Sequence, residues 1–340
     1  MEVVAEDGTV GFGEALTHDG FYIEGFPGSV RAAVRALAPV VLAHDVFDPA
    51  GLNEAMDVAI LGHLPAKAAI DAALWDLRGK ILGQSTAALL GGFRQDTVPA
   101  VRQVIGASSE EMAAIAVDGV ESGFTHFQVK VGEDPIASAK KVHAVYDAIH
   151  ERAQFITCDA NRKWTLAQAR LFLNEIAKLN VYFEQPCDRL TQLAELRRIS
   201  PIPMLVDESI RGLADLVDCL RLEAADSICI KPARVGGLTK AAQLRDLAQA
   251  AGLMVMLGEP GGGEIAYAGL QQLAATCNPS SLICASSAST WHKFYPSMKS
   301  LAVTEGGKLE RGRINISRAP GLGIEVDRAA LGDPLFIVPN

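Results

Sequence analysis

From Val98 to Ala285 the sequence repeats one unit, a short apolar run followed by a longer stretch with apolar residues at helical spacing. Strands are expected at 98–104, 125–131, 155–159, 181–184, 203–207, 227–231, 253–257 and 281–285. Segments such as IASAKKVHAVYDAIHER and LTKAAQLRDLAQAAG lie between them as helices. A strand that returns in the same sense needs a crossover, so this alternation demands a parallel sheet. Eight strands at even spacing favour closure into a barrel over an open doubly wound sheet. No G-x-G-x-x-G opens a helix, and GEPGGGE (258–264) follows a late strand without an acid placed for a ribose, which counts against a dinucleotide fold. Ahead of the repeat, a strand pair around the Asp7-Gly8 turn and helical spacing over 29–43 and 64–83 read as an α+β piece, with Gly83 as a C-terminal stop.

The ionisable residues sit at one end of these strands. THFQVKVGED (125–134) alternates like a strand and delivers Lys130 just before Gly132; FITCD ends at Asp159, VYFE at Glu184, MLVD at Asp207 and SICIK at Lys231. Their spacings of 29, 25, 23 and 24 residues put one βα unit between neighbours. In a barrel the carboxyl ends of successive strands ring one mouth, so these five side chains are expected to converge. Three carboxylates so close would raise one another's pKa unless a cation sits among them. Oxygen ligands without Cys or His select a hard divalent ion, and Mg²⁺ is the expected one. The structural alternative is that Asp159, Glu184 and Asp207 cap helices or pair separately with lysines. A lysine whose pKa is lowered by burial or by a cationic neighbour could remove the proton α to a metal-held carboxylate, the resulting enediolate being stabilised by the ion. Lys130 and Lys231 bracket the acids, which permits exchange on both faces; for each lysine alone, a salt bridge to an adjacent carboxylate is the alternative.

Composition bounds the class. With 340 residues, 49 % apolar and 21 % charged, the chain can build one large core and a smaller accessory domain. A net charge of −9 and a pI near 5.3 argue against a nucleic-acid or anionic-membrane surface. Cys158, Cys187, Cys219, Cys229, Cys277 and Cys284 form no C-x-x-C pair and read as buried small hydrophobes of a reducing compartment. MEVVAEDGTVGFGEA lacks the basic and apolar regions of a signal peptide, and no run approaches the length of a membrane span, so a cytoplasmic location is expected.

At the strand ends the sequence resembles the enolase superfamily, in the branch typified by muconate-lactonizing enzyme and the dipeptide epimerases. FQVKVG is similar to its K-x-K strand, DANRKW to D-x-N-x-x-W, YFEQP to E-Q-P, VDES to D-E-S and KPARVGGLTK to its lysine strand; VGFGEA, AIDAALWDLRGKILGQSTAALLGG and PGLGIEVD look like its signatures outside the barrel. The resemblance implies a (β/α)₇β TIM-like barrel over residues 96–315, an N-terminal α+β capping domain over 1–95 and a C-terminal segment, 316–340, returning to the cap. It further implies Mg²⁺ at Asp159, Glu184 and Asp207, acid/base roles for Lys130 and Lys231, and a homo-oligomer. Two departures stand out. Gln128 occupies the position of the first lysine of K-x-K, and the chain starts roughly one strand late, so the cap's first strand is expected to be missing.

Substrate contacts are expected from Tyr22, Gln128, Asn161, Glu259 and Trp291. Tyr22 lies in the loop ALTHDGFYIEGFPG with His18 and Phe21, Glu259 could accept from a substrate ammonium, and Trp291 could cover a cationic nitrogen. His292 is expected to be solvated or structural. These cues favour racemisation or epimerisation of an amino-acid or proline-derived acid. A dehydratase of hydroxyproline or sugar-acid type, or a cycloisomerase, would use the same chemistry; a catalytically silent ligand-binding barrel is the non-enzyme alternative prompted by Gln128 and the short start.

Overall fold

The structure is a computed structural model of the 340-residue chain and is described for residues 1–17, 22–291 and 307–339; Trp291 is described by its backbone alone. Eight parallel strands form one sheet in sequence order: β1 Val101–Val104, β2 His126–Lys130, β3 Phe155–Asp159, β4 Tyr182–Glu184, β5 Met204–Val206, β6 Ser227–Ile230, β7 Met254–Leu257 and β8 Leu282–Ala285. A parallel bridge between Ala100 and Ala285 brings the last strand back to the first and closes the barrel. Helices stand between all successive strands, as the (β/α)₇β pattern requires. Among the described residues, no helix is long and apolar enough to cross a membrane.

Period-two alternation sorts the side chains. On β3, Phe155 faces the barrel interior with Val101, Leu205, Cys229, Met256 and Cys284, whereas Ile156 and Cys158 join the larger core between strands and helices. The interior cluster fills the lower barrel as a packed plug, which leaves the polar residues two positions further along each strand at the mouth. All six cysteines are buried and unpaired.

The expected first strand, 98–104, is two strands. Thr97–Pro99 pairs antiparallel with Arg313–Asn315, which in turn pairs with Lys308–Glu310, and only from Val101 does the chain join the barrel. Pro99 fits this arrangement, because proline lacks the N–H that a central strand needs.

Ahead of the barrel, Glu2–Val4 and Val10–Phe12 form an antiparallel ribbon around the Asp7-Gly8 turn, followed by helices Pro27–Leu42, Pro49–Ala59 and Leu64–Leu82. Gly83 ends the third at φ 62°, a left-handed conformation that glycine adopts without a Cβ penalty. This third helix seats the cap on the barrel. Asp71 accepts hydrogen bonds from Thr239 N (3.0 Å), Thr239 Oγ1 (2.6 Å) and Asn53 Nδ2 (2.8 Å), while Trp75 Nε1 donates to Thr239 Oγ1 at 2.9 Å. Gly237 lies against the same carboxylate at φ 126°, where a Cβ would come within 2.5 Å of Asp71 Oδ2. The C-terminal segment also meets the cap, through Leu322 N donating to Asp76 and an ion pair between Arg328 and Glu2.

His126 opens β2 inside the wall, 5.9 Å from the Phe155 ring, and its Nδ1 is 2.9 Å from Thr125 Oγ1. Burial, aided by the Arg313 charge, pushes its pKa down to about 4. A depressed folded-state pKa means that the unfolded chain binds the proton first as pH falls. Stability is therefore complete above pH ~6.5 and declines by about 3 kcal/mol in total as pH drops through about 4. Urea titrations at pH 7 and pH 4.5 should show this decline in the unsubstituted chain and a clearly smaller one in His126→Gln; equal declines would remove His126 as the cause.

Candidate active site at the carboxyl ends of the strands

The five strand-end residues meet at the barrel mouth. Register pairs Lys130 with Asp159 and Asp159 with Glu184 across β2, β3 and β4. Asp207 follows β5 directly and Lys231 follows β6. Because β2 and β6 are four strands apart in an eight-stranded closed order, the two lysines come from opposite walls.

The carboxylates are fully buried and differ in their partners. Lys130 Nζ donates to Asp159 Oδ2 at 2.5 Å, and on the far side Lys231 Nζ donates to Asp207 Oδ2 at 2.6 Å. Arg234 Nη1 donates to the other oxygen of Asp207 at 2.5 Å. Glu184 instead receives the Gln128 amide, with Nε2 at 3.0 and 2.9 Å from its two oxygens, and Thr157 Oγ1 at 3.2 Å. Among the described residues no ion pair reaches Glu184 and no three His, Cys, Asp or Glu side chains gather on one point as metal ligands. The separate pairing of acids with lysines is thus present at Asp159 and Asp207.

Electrostatics show that the groups nonetheless act on one another. Burial, then the Asp159 and Asp207 charges, hold the Glu184 carboxyl well above its usual range. Glu208, next to Asp207, is pushed up to about 7 by burial and by Asp207 and Asp159, and its Oε2 is buried with no hydrogen-bond partner. A cluster of buried carboxylates in which one acid has only neutral donors and another an orphaned oxygen is short of positive charge. Its all-oxygen donor set fits a hard divalent cation.

The lysines depart from the depressed state expected of a base. Burial is the largest single influence on each and lowers both, but Asp159 and Glu184 outweigh it at Lys130, and Asp207 and Tyr22 outweigh it at Lys231, so both amines are held protonated.

Loop geometry explains how these groups are aimed. After β3 the DANRKW turn runs through two left-handed residues, Asn161 (φ 44°) and Arg162 (φ 63°). Asn161 N donates to Asp159 Oδ1 at 2.9 Å, an Asx-type turn that orients the carboxylate. Trp164 anchors the loop's far end, donating from Nε1 to Glu133 O at 2.7 Å and packing 4.6 Å from Phe172. After β4, Gln185 accepts from Asp207 N (2.7 Å) and donates to Ser209 Oγ (2.6 Å), tying the fourth strand end to the fifth. After β7, Gly258 leaves room for Lys231, since a Cβ there would sit 3.1 Å from Lys231 Cε.

The expected substrate contacts are distributed unevenly. Tyr22 reaches in from the cap, bonding Lys231 Nζ and lying 3.2 Å from Asp207 Oδ2, with its ring 4.9 Å from the Lys231 amine. Gln128 is committed to Glu184. Asn161 braces the site, accepting from Lys130 Nζ at 3.3 Å and donating to Glu208 Oε1 at 3.0 Å. Glu259 is buried beyond β7, where its Oε2 accepts a 3.4 Å bond from Ala233 N, and burial pushes its pKa up to about 8. Trp291 ends the short helix Ala288–Trp291; its side chain, and His18, Phe21 and His292, lie outside the described residues. Sequence reasoning missed Arg234 and Glu208, although both sit in quoted motifs, one turn after Lys231 and directly after Asp207.

Comparison with known proteins places these features among relatives. Residues 1–91 match the family model described as mandelate racemase / muconate lactonizing enzyme, N-terminal domain, and residues 111–330 match that described as enolase C-terminal domain-like. A cis-3-hydroxy-L-proline dehydratase from Roseibium aggregatum is 34 % identical over 98 % of this chain and 89 % of its own length. An N-succinyl-L-Arg/Lys racemase from Bacillus cereus is 28 % identical over 76 % of this chain and 71 % of its own. Among solved structures, an enolase-superfamily member from Roseovarius nubinhibens complexed with magnesium superposes with a TM-score of 0.91 at 27 % identity, covering 98 % of this chain and 90 % of that one.

Proposed function

Since this chain belongs to the mandelate racemase/muconate lactonizing enzyme family of the enolase superfamily, we propose that it is a Mg²⁺-dependent enzyme that removes the proton α to the carboxylate of an amino-acid or proline-derived acid and returns it on the opposite face. The observation that carries this reading is the pair of lysines on opposite walls of one barrel mouth, Lys231 buried and Lys130 half-buried, each bonded to a strand-end carboxylate.

In this reading Asp159, Glu184 and Asp207 hold the ion. Bound there, Mg²⁺ would take up the substrate carboxylate and offset the negative charge that builds as the α C–H bond breaks. An ion sharing the oxygens of Asp159 and Asp207 would weaken the partners that now hold Lys130 and Lys231 protonated, leaving burial, which disfavours the charged amine, to act on both. Lys231 Nζ removes the proton on one face and Lys130 Nζ delivers one on the other, or the reverse for the opposite enantiomer. Glu259 accepts from the substrate nitrogen, and Tyr22 closes the mouth from the cap. Asn161 and Gln185 keep the donors in place.

A second reading has its own support. The relative matched over 98 % of this chain is a cis-3-hydroxy-L-proline dehydratase, and the same abstraction followed by departure of a β-hydroxyl, protonated by the opposite lysine, would be a dehydration. One experiment separates them. Proline-type and hydroxyproline-type acids of each configuration are incubated with enzyme and Mg²⁺ in D₂O and followed by ¹H NMR and polarimetry. Epimerisation predicts deuterium at the α-carbon in an otherwise intact substrate, with loss of optical rotation for the proline-type acids and a second set of diastereomer signals for the hydroxyproline-type acids, and dehydration predicts loss of the substrate with appearance of an unsaturated or keto product. No exchange and no elimination across a broad set of α-amino and α-hydroxy acids would sink both.

A further inference from the structure

Resting on the reading of Asp159, Glu184 and Asp207 as cation ligands, we propose that Gln128 is the residue that sets the cation affinity of this barrel, by orienting Glu184 with an uncharged amide. The three acids are not equivalent. Asp159 already faces an ammonium, and Asp207 faces an ammonium and a guanidinium. Glu184 is as deeply buried as they are, yet both of its oxygens are held only by the Gln128 amide, with Thr157 Oγ1 added on one.

Both donors come from the register layer beneath Glu184, because Gln128 pairs with Thr157 one step below the level at which Asp159 pairs with Glu184. Gln128 is itself buried on the interior face of β2. The carboxylate is thus fixed from below, and its charge remains available to a ligand.

A lysine, which the family pattern has at this position, would act in the opposite direction on two counts. Its ammonium, within hydrogen-bonding reach of Glu184, would form an ion pair that a divalent cation must displace, and its charge would repel the cation at short range. The amide retains the orienting bonds without either penalty. Gln128 is on this account a positioning residue that acts through Glu184, and the cost of the exchange falls on Lys130, which loses a cationic neighbour.

The test uses the full chain, stripped with EDTA and titrated with Mg²⁺ and with Mn²⁺ by calorimetry, beside Gln128→Lys and Gln128→Leu. Gln128→Lys should weaken binding of both ions by about ten- to a hundredfold and raise the melting temperature of the EDTA-treated protein, since Glu184 gains a partner. Gln128→Leu should weaken binding too but lower that melting temperature, since Glu184 loses its bonds. Cation affinity in Gln128→Lys within about twofold of the unsubstituted chain, a change far below that expected from residues that hydrogen-bond a metal's ligands, overturns the proposal while leaving the cation site standing; should that variant not fold, unchanged affinity in Gln128→Leu does so. Absence of saturable binding in the unsubstituted chain overturns the cation site, and the role of Gln128 with it.

Discussion

Lys231→Met is expected to lower turnover by about a thousandfold, the usual contribution of a positioned general acid or base, without unfolding the chain. Methionine approximates the volume of the lysine stem, and Asp207 keeps Arg234 as a buried cationic partner at 2.5 Å. The informative readout is stereochemical. If the two amines serve opposite faces, Lys231→Met should still wash solvent deuterium into one enantiomer of the substrate and not the other, while Lys130→Met shows the complementary preference. Exchange followed by NMR on each enantiomer separately decides the matter. Variants that lose exchange equally on both enantiomers would mean that the lysines act as one electrostatic unit and that the two-base reading is wrong.

Asp207→Ala carries the largest expected stability effect. Removing this carboxylate strands Lys231 and Arg234, both buried, beside each other without their shared counter-charge. Breaking one side of a buried ion pair typically costs about 3–5 kcal/mol, and here two cations are left. Urea unfolding should register a loss in that range, together with loss of the increase in melting temperature on adding Mg²⁺. Glu184→Gln is the internal control. It removes an acid held only by neutral donors, so stability should change little although cation binding falls. A loss under about 1 kcal/mol for Asp207→Ala, the range of exposed pairs, would contradict the buried network described above.

Much of this architecture was legible in advance because strands of a helix-covered barrel announce themselves twice, by apolar alternation and by the helix that follows. Seven of the eight strands fall within a residue or two of their expected bounds, from His126–Lys130 to Leu282–Ala285. The miss at 98–104 is instructive: nothing in the apolar pattern marks the change of sheet at Ala100, and only Pro99 hints at it. Arg311-Gly312, with φ of 47° and 71°, turns the late hairpin 308–315, where Arg-Gly is the only local turn signal in the sequence. At the site, the five strand-end residues follow from the repeat, since each occupies the same place in its unit. Arg234 and Glu208 do not, because whether a loop residue points back into a mouth depends on how that loop turns. The protonation of the lysines was equally out of reach. Burial alone would lower them, and the sign reverses only through partners whose distances the sequence does not contain.

The contact between Asp71 and Thr239 has a consequence for how the molecule holds together. Thr239 stands in the first turn of the helix Leu238–Ala250, a few residues beyond Lys231, so the loop carrying that amine is anchored at one end by the sheet and at the other by the cap. Undocking the cap would strip Asp71 of both Thr239 donors, leaving it only Asn53, and release the segment Pro232–Gly237 in the same event. Alignment of the proposed base and interdomain cohesion are therefore one cooperative property: a chain whose two parts had come apart would lose the placement of Lys231 before either part had melted.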